Sequence, residues 1–226
     1  MNNKVIVANW KAHLSPEHVS SWIDAFVRRY QPISGVEIIL SPPFLVLDSV
    51  REQLAGVDGI TLAAQGVSPF PPGNYTGATP AAWLSGRVQY ALLGHRERRV
   101  YFHEDSLAVA AQAREAVAAG LVPVICVDDS LVAEQLAALD SSELSASLFA
   151  WTPDDAVRLE TARNTAVIAE KVADLSRRTG RPALYGGGVN RDNCHDIMAL
   201  HEVAGVLVGR GCLDADAFAD MLASLR

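Results

Sequence analysis

A succession of short apolar runs in this chain ends on residues that can do chemistry. Asn9 and Lys11 follow the first run, Gln65 the third, His95 and Glu97 the fourth, and Asp128 and Asp129 the fifth. Thr152 follows the sixth, Gly186, Gly187 and Gly188 the seventh, and Gly209, Arg210 and Gly211 the eighth. Gathered at one end of a sheet, polar side chains and glycines in this pattern furnish what a catalytic or binding site needs. Each also has a plainer reading: Lys11 as a solvated surface charge, His95 as a structural histidine, the glycines as tight turns. Thr152, directly before Pro153, sets a limit on the chemistry, because a hydroxyl cannot take a proton from carbon at neutral pH without an activator of its own. The six histidines and the carboxylates form no ligand-spaced cluster, so neither a metal nor an organic cofactor is expected. Cys126, Cys194 and Cys212 are odd in number and far apart, which reads as reduced, mostly buried thiols in a cytoplasmic protein.

The elements that must position these residues alternate between strand and helix. Strand patterns cover 5–8, 36–40, 61–64, 90–93, 123–127, 148–150, 183–185 and 205–208. Between them Ser15-Pro16-Glu17 opens a helix with Val19, Trp22, Ile23, Phe26 and Val27 at helical spacing. Further helical patterns fill 44–54, 80–85, 106–119, 131–139, 160–178, 191–200 and 214–225. Near-continuously apolar strands joined by helices imply a parallel sheet covered on its outer face. Eight such units close into a single-domain (β/α)₈ barrel spanning residues 1–226, with chemistry at the C-terminal strand ends. An open doubly wound sheet is the alternative, and the first strand lacks the glycine-rich dinucleotide fingerprint that would favour it.

Half of the 226 residues are apolar, enough for one sizeable core. Nineteen basic against 26 acidic residues leave a formal charge of -7, which argues against nucleic acid or an anionic membrane as partner. No apolar run is long enough to span a bilayer, and the N-terminus has no signal-peptide architecture.

Several motifs, taken in order, resemble the triosephosphate isomerase family from end to end. They are Ala8-Asn9-Trp10-Lys11, Ala64-Gln65-Gly66-Val67-Ser68 with Gly73-Asn74-Tyr75-Thr76-Gly77, Leu93-Gly94-His95-Arg96-Glu97-Arg98-Arg99 with Glu104, Pro123-Val124-Ile125-Cys126-Val127, Leu184-Tyr185-Gly186-Gly187-Gly188-Val189 and Gly205-Val206-Leu207-Val208-Gly209-Arg210. The resemblance implies an aldose–ketose isomerase of small phosphorylated sugars, belonging to glycolysis and gluconeogenesis. That family is the standard example of a carboxylate base working with a neutral histidine under a loop that shuts out water. It also implies roles. Lys11 would set a cation beside the substrate oxygen and phosphate, with Asn9 orienting it. His95 would donate a hydrogen bond where negative charge develops, with Glu97 behind. Gly187, Gly188, Gly209 and Arg210 would hold the phosphate. Arg98, Arg99 and Glu104 would form an ion-pair network bracing the fourth loop. The partners implied are a phosphorylated sugar or phosphate-like anion and a second copy of the chain, reached through the third loop at 73–77.

The chain departs from that family in linked ways. The catalytic glutamate's position holds Thr152. The stretch from Pro153 to Thr161 lacks the glycine tip and tryptophan hinge of the family's lid, and helical pattern resumes at Glu160. Arg96 stands where the family has a serine, placed to crowd the site or to neutralise Asp154 or Asp155. Gly188 also replaces a usual serine, and the short segment after Asp128 points to a reduced fifth helix. The expectation is isomerisation that is weak or absent, with Asp154, Asp155 or Glu160 as substitute bases. The alternative is a non-catalytic phosphosugar- or anion-binding barrel, or one serving only as scaffold.

Overall fold

The computed structural model describes residues 4–155 and 161–226. Eight strands, β1 (Lys4–Asn9), β2 (Val36–Ser41), β3 (Ile60–Ala64), β4 (Tyr90–Leu93), β5 (Val122–Val127), β6 (Leu148–Trp151), β7 (Ala183–Gly186) and β8 (Val203–Val208), pair in parallel in sequence order. The last pairs with the first, closing the barrel, so the open-sheet alternative is excluded. Closure needs close approach at one point. A Cβ on Gly205 would overlap the Val5 carbonyl oxygen and lie 2.8 Å from Val5 Cγ2, so β8 meets β1 there only because residue 205 has no side chain.

Strand alternation explains the two cores. Val5, Val7, Ile39, Leu92, Val124, Cys126, Ala150, Leu184 and Leu207 point inward and fill the barrel. Ile6, Ala8, Ile38, Leu40, Leu93, Ile125, Phe149 and Tyr185 point outward and pack beneath the helices. Both faces being buried, the strands carry apolar side chains at nearly every position. The outer layer is pinned by rings. Trp10 and Trp22 lie 4.5 Å apart, Trp22 stacks on Phe26 at 5.0 Å, and Phe26 stacks on Phe218 at 5.6 Å. These contacts bind α1 (Pro16–Arg29) and the C-terminal helix that carries Phe218 to the strands; emptying the Phe26 site would cost about 3–5 kcal/mol.

The remaining helices are α2 (Leu47–Gln53), α3 (Arg96–Tyr101), α4 (Ser106–Ala118), α5 (Val132–Ala138), α6 (Ser141–Ala146), α7 (Thr165–Thr179), α8 (Cys194–Ala199) and α9 (Ala215–Ala223). Several differ from the pattern-based expectation. The stretch at 44–54 divides into a 3₁₀ turn, Phe44–Val46, and α2; that at 80–85 is only the 3₁₀ turn Ala81–Trp83. The fifth connection holds two short helices instead of one reduced helix. The second, α6, is fixed by a reciprocal cap between Asp140 and Glu143. Helix α7 starts at Thr165 and not at Glu160, because the Asn164 side chain caps it by accepting from the Ala166 N–H. Glu160 itself lies outside the described residues. All three cysteines are buried and unpaired, and burial pushes the Cys126 and Cys194 thiols up to about 12. Among the described residues, no helix is long and apolar enough to cross a membrane.

Candidate active site

At the C-terminal mouth of the barrel lies a cavity of about 120 Å³. Its lining includes Lys11, His95, Arg96, Thr152, Gly186, Gly187, Gly188, Gly209 and Arg210. Most residues assigned from sequence thus meet in one place.

Lys11 is delivered by the end of β1 in a left-handed backbone conformation, φ 50°. A non-glycine residue holds such a conformation only if its surroundings fix it. Two side chains do so. Asn9 Oδ1 accepts from the Lys11 N–H at 2.9 Å, and Gln65 Nε2 donates to the Lys11 carbonyl at 2.9 Å and to the Ser41 carbonyl at 2.8 Å. Gln65 therefore ties β1, β2 and β3 together under the lysine. Its place at a strand end was visible in the sequence, but its function was not. The ammonium reaches Glu97 Oε1 at 2.6 Å and passes beside Gly209, where a Cβ would be 3.8 Å from Nζ. Glu97 is thereby engaged behind the cavity.

His95 caps α3, its Nδ1 accepting from the Glu97 backbone N–H at 3.2 Å. An accepting Nδ1 puts the ring's single proton on Nε2, the remaining nitrogen for the cavity. Burial pushes the imidazole down to about 4; Lys11 and Arg98 also disfavour its protonation, while Glu97 acts the other way. The ring is neutral at physiological pH and is a hydrogen-bond donor there, not a cation.

Thr152 is buried at the end of β6. Its N–H donates to the Val127 carbonyl at 2.8 Å, and its hydroxyl leans to the same oxygen at 3.4 Å. Its methyl faces Gly186, whose Cβ would lie 2.9 Å away. Among the described residues, the hydroxyl's hydrogen bond goes to this carbonyl and not to a base that would activate it.

Of the expected substitute bases, Asp154 and Asp155 do not line this cavity, and Glu160 lies outside the described residues. Asp154 lines a separate hollow between the fifth and sixth loops, together with Asp128, Asp129, Trp151, Arg163 and Lys171. Asp155 is paired with Arg163 at 2.6 Å. The expected pairing of Arg96 with one of these acids is also corrected: its Nη1 lies 3.5 Å from Asp128 Oδ2. Asp128 is buried and already accepts from Ser130 and Leu131 through Oδ1, so it belongs to the turn after β5. The network bracing the fourth loop is real but differently wired. Arg98 pairs with Glu104 at 2.6 Å, while Arg99 donates to the Gly94 carbonyl at 2.8 Å and to Gln135 at 2.7 Å.

Past the undescribed residues, the chain settles on the seventh loop. The Arg163 N–H donates to the Tyr185 hydroxyl at 3.0 Å. Gly188 has φ +61°, and a Cβ there would overlap the Thr161 carbonyl group and lie 2.8 Å from the Ala162 nitrogen. Backbone rests on backbone at this point, and the glycine is what permits it. Val189, Asn190, Leu207 and Gly211 complete the lining. Gly211 is among the residues read at the end of the eighth strand, and Val189 and Leu207 stand within the family motifs; Asn190 was not singled out, and only its adjacency to the glycine turns could have pointed to it.

The fold and this mouth define a (β/α)₈ barrel whose C-terminal face sets a lysine and a neutral histidine beside two glycine turns. The chain belongs to the triosephosphate isomerase family, whose model matches residues 4–225. It is 32% identical to the triosephosphate isomerase of Symbiobacterium thermophilum over 99% of this chain and 97% of that protein. With the enzyme of Stenotrophomonas maltophilia it shares 33% identity over 100% and 98%. Among solved structures, triosephosphate isomerase from Bartonella henselae superposes with a TM-score of 0.84 at 25% identity, covering 98% of each chain.

Proposed function

We propose that the mouth of the barrel binds a small phosphorylated sugar or related anion, and that the family's aldose–ketose isomerisation is weak or absent. Lys11 and His95 line the cavity, Asn9 holds the Lys11 N–H and Glu97 the Lys11 ammonium, which supports the roles the family implies for them. Gly187, Gly188, Gly209 and Arg210 line the cavity where a phosphate would rest. One observation carries the second half of the reading: among the described residues lining the cavity, none has a carboxylate. Proton abstraction next to a carbonyl is the whole of the family's reaction. Losing a placed base costs about 10²–10⁴-fold or more. Calorimetry of the full chain with glycerol 3-phosphate, beside a turnover assay with glyceraldehyde 3-phosphate, tests both halves. Binding with little or no turnover is expected; the absence of binding would leave only a scaffold.

Self-association is part of the reading. Phe70 and Tyr75 of the third loop stack at 4.4 Å yet stay exposed. Phe44, Leu45 and Trp83 line one exposed hollow, and Tyr101 and Phe102 are exposed at the end of α3. Apolar surface of this extent around the third loop fits burial against a second copy.

A further inference from the structure

The cavity has a charge pattern that a single phosphate does not use up. Its charged lining residues are Lys11, Arg96 and Arg210, all cationic, in a chain whose net charge is -7. His95 adds a neutral donor and Thr152 a hydroxyl. These groups are not on one side. In the closed strand order β4 and β8 are four places apart, diametrically across the barrel. The glycine turns follow β7 and β8; Lys11 passes against Gly209 on that side, and its ammonium is paired with Glu97, which follows β4. Arg96 follows β4 and is anchored to Asp128, which follows β5, on the opposite side. Asp128 engages Arg96 through Nη1 alone and at 3.5 Å, so the guanidinium fork keeps donors for the cavity it lines. A planar fork of this kind suits a carboxylate. Among the described residues lining the cavity, none carries a negative charge to oppose one.

Resting on the reading that the mouth holds a phosphorylated ligand, we propose that this ligand carries an anion at each end. It is a three-carbon phosphorylated carboxylic acid, with its phosphate on the glycine turns beside Lys11 and its carboxylate on Arg96. Arg96 then determines specificity, selecting an acid over the alcohol or aldehyde of the same length.

Two probes of the same length and configuration differ only at the relevant carbon. D-3-Phosphoglycerate bears a carboxylate where sn-glycerol 1-phosphate bears a hydroxymethyl group. Calorimetry on the full chain at pH 7.5 should show 3-phosphoglycerate binding about 10–100-fold tighter, the usual worth of a charge-assisted hydrogen bond to a placed carboxylate. Arg96→Ser should bring the ratio of the two affinities near one. Arg96→Gln, which keeps part of the bulk and an N–H donor but no charge, should do the same if the serine variant fails to fold. Thr152→Glu should likewise reduce the ratio by placing a negative charge in the cavity. Equal affinities in the unaltered protein, or a preference that survives the loss of Arg96, overturn this inference and leave the phosphate site standing. If neither probe binds, the reading beneath it falls as well.

Discussion

Replacing Thr152 with glutamate is the most direct probe of what this barrel lacks. The side chain sits at the end of β6, 7% exposed, on the wall of the cavity that Lys11 and His95 share. Glutamate is two atoms longer than threonine. Its neighbour on β7 is Gly186, which has no side chain to block the extension, and its carboxylate would enter a space lined by Lys11, Arg96 and Arg210. Those cations favour the ionised form, which is the form a base needs. His95 is already neutral and already a donor. A positioned general base contributes about 10²–10⁴-fold, equal to about 3–5 kcal/mol of barrel-assisted lowering of the barrier. Thr152→Gln is the control, adding equal bulk without basicity. In an NADH-coupled assay with glyceraldehyde 3-phosphate, Thr152→Glu should exceed Thr152→Gln by at least about 10²-fold in kcat, with KM changing far less. Two results would refute the reasoning. The unaltered protein could turn over at the ~1–10³ s⁻¹ of ordinary enzymes. Or the glutamate variant could be no faster than the glutamine variant while both still bind glycerol 3-phosphate.

Other outcomes can be checked independently. His95 has its pKa lowered on folding, so between about 6.5 and about 4 the unfolded chain takes up a proton that the fold refuses. Stability from this source is complete above pH 6.5 and is lost as pH falls towards 4. The unaltered protein should lose up to ~3 kcal/mol more than His95→Gln between pH 7 and 4 in urea titrations, and parallel profiles would contradict this. Gly188→Ser should destabilise by about 1–3 kcal/mol in the same titration, since the new side chain meets the backbone at Thr161 and Ala162 in a left-handed conformation. The protein should sediment as a dimer, and Leu45→Lys combined with Trp83→Lys should yield monomers with an unchanged far-UV spectrum; a monomeric parent would end that part of the reading.

The barrel was legible because strands buried on both faces leave an unbroken apolar trace, and all eight traces became strands. Helices were read less well where they owe little to an apolar stripe. Helix α3 is spelled Arg96-Glu97-Arg98-Arg99-Val100-Tyr101 and has no fully buried residue, so periodicity could not reveal it. It is held instead by the His95 cap and by Arg99 reaching back to Gly94 and Gln135. Helix α6 did carry a signal, Asp140 three residues before Glu143, which a search for capping boxes would find. For the site, motifs located Lys11, His95 and the glycines, since their spacing survives as words in the sequence. Charge partners were not legible in that way. Arg96 found Asp128 and not Asp154 or Asp155, because which acid stands nearest depends on how two loops cross in space.

The rest of Thr161 and Ala162 upon Gly188 couples two loops to one another. A mutation returning serine to position 188 would strike neighbouring main chain before it could help any substrate. A mutation restoring a longer sixth loop would arrive at a turn whose hydroxyl is gone. A serine at position 188 and a rebuilt segment before Thr161 would therefore have to be introduced together, since the main chain at Thr161 and Ala162 fills the space the serine needs. A glutamate at position 152 is a single substitution; an enclosure around it would demand coordinated revision of two loops.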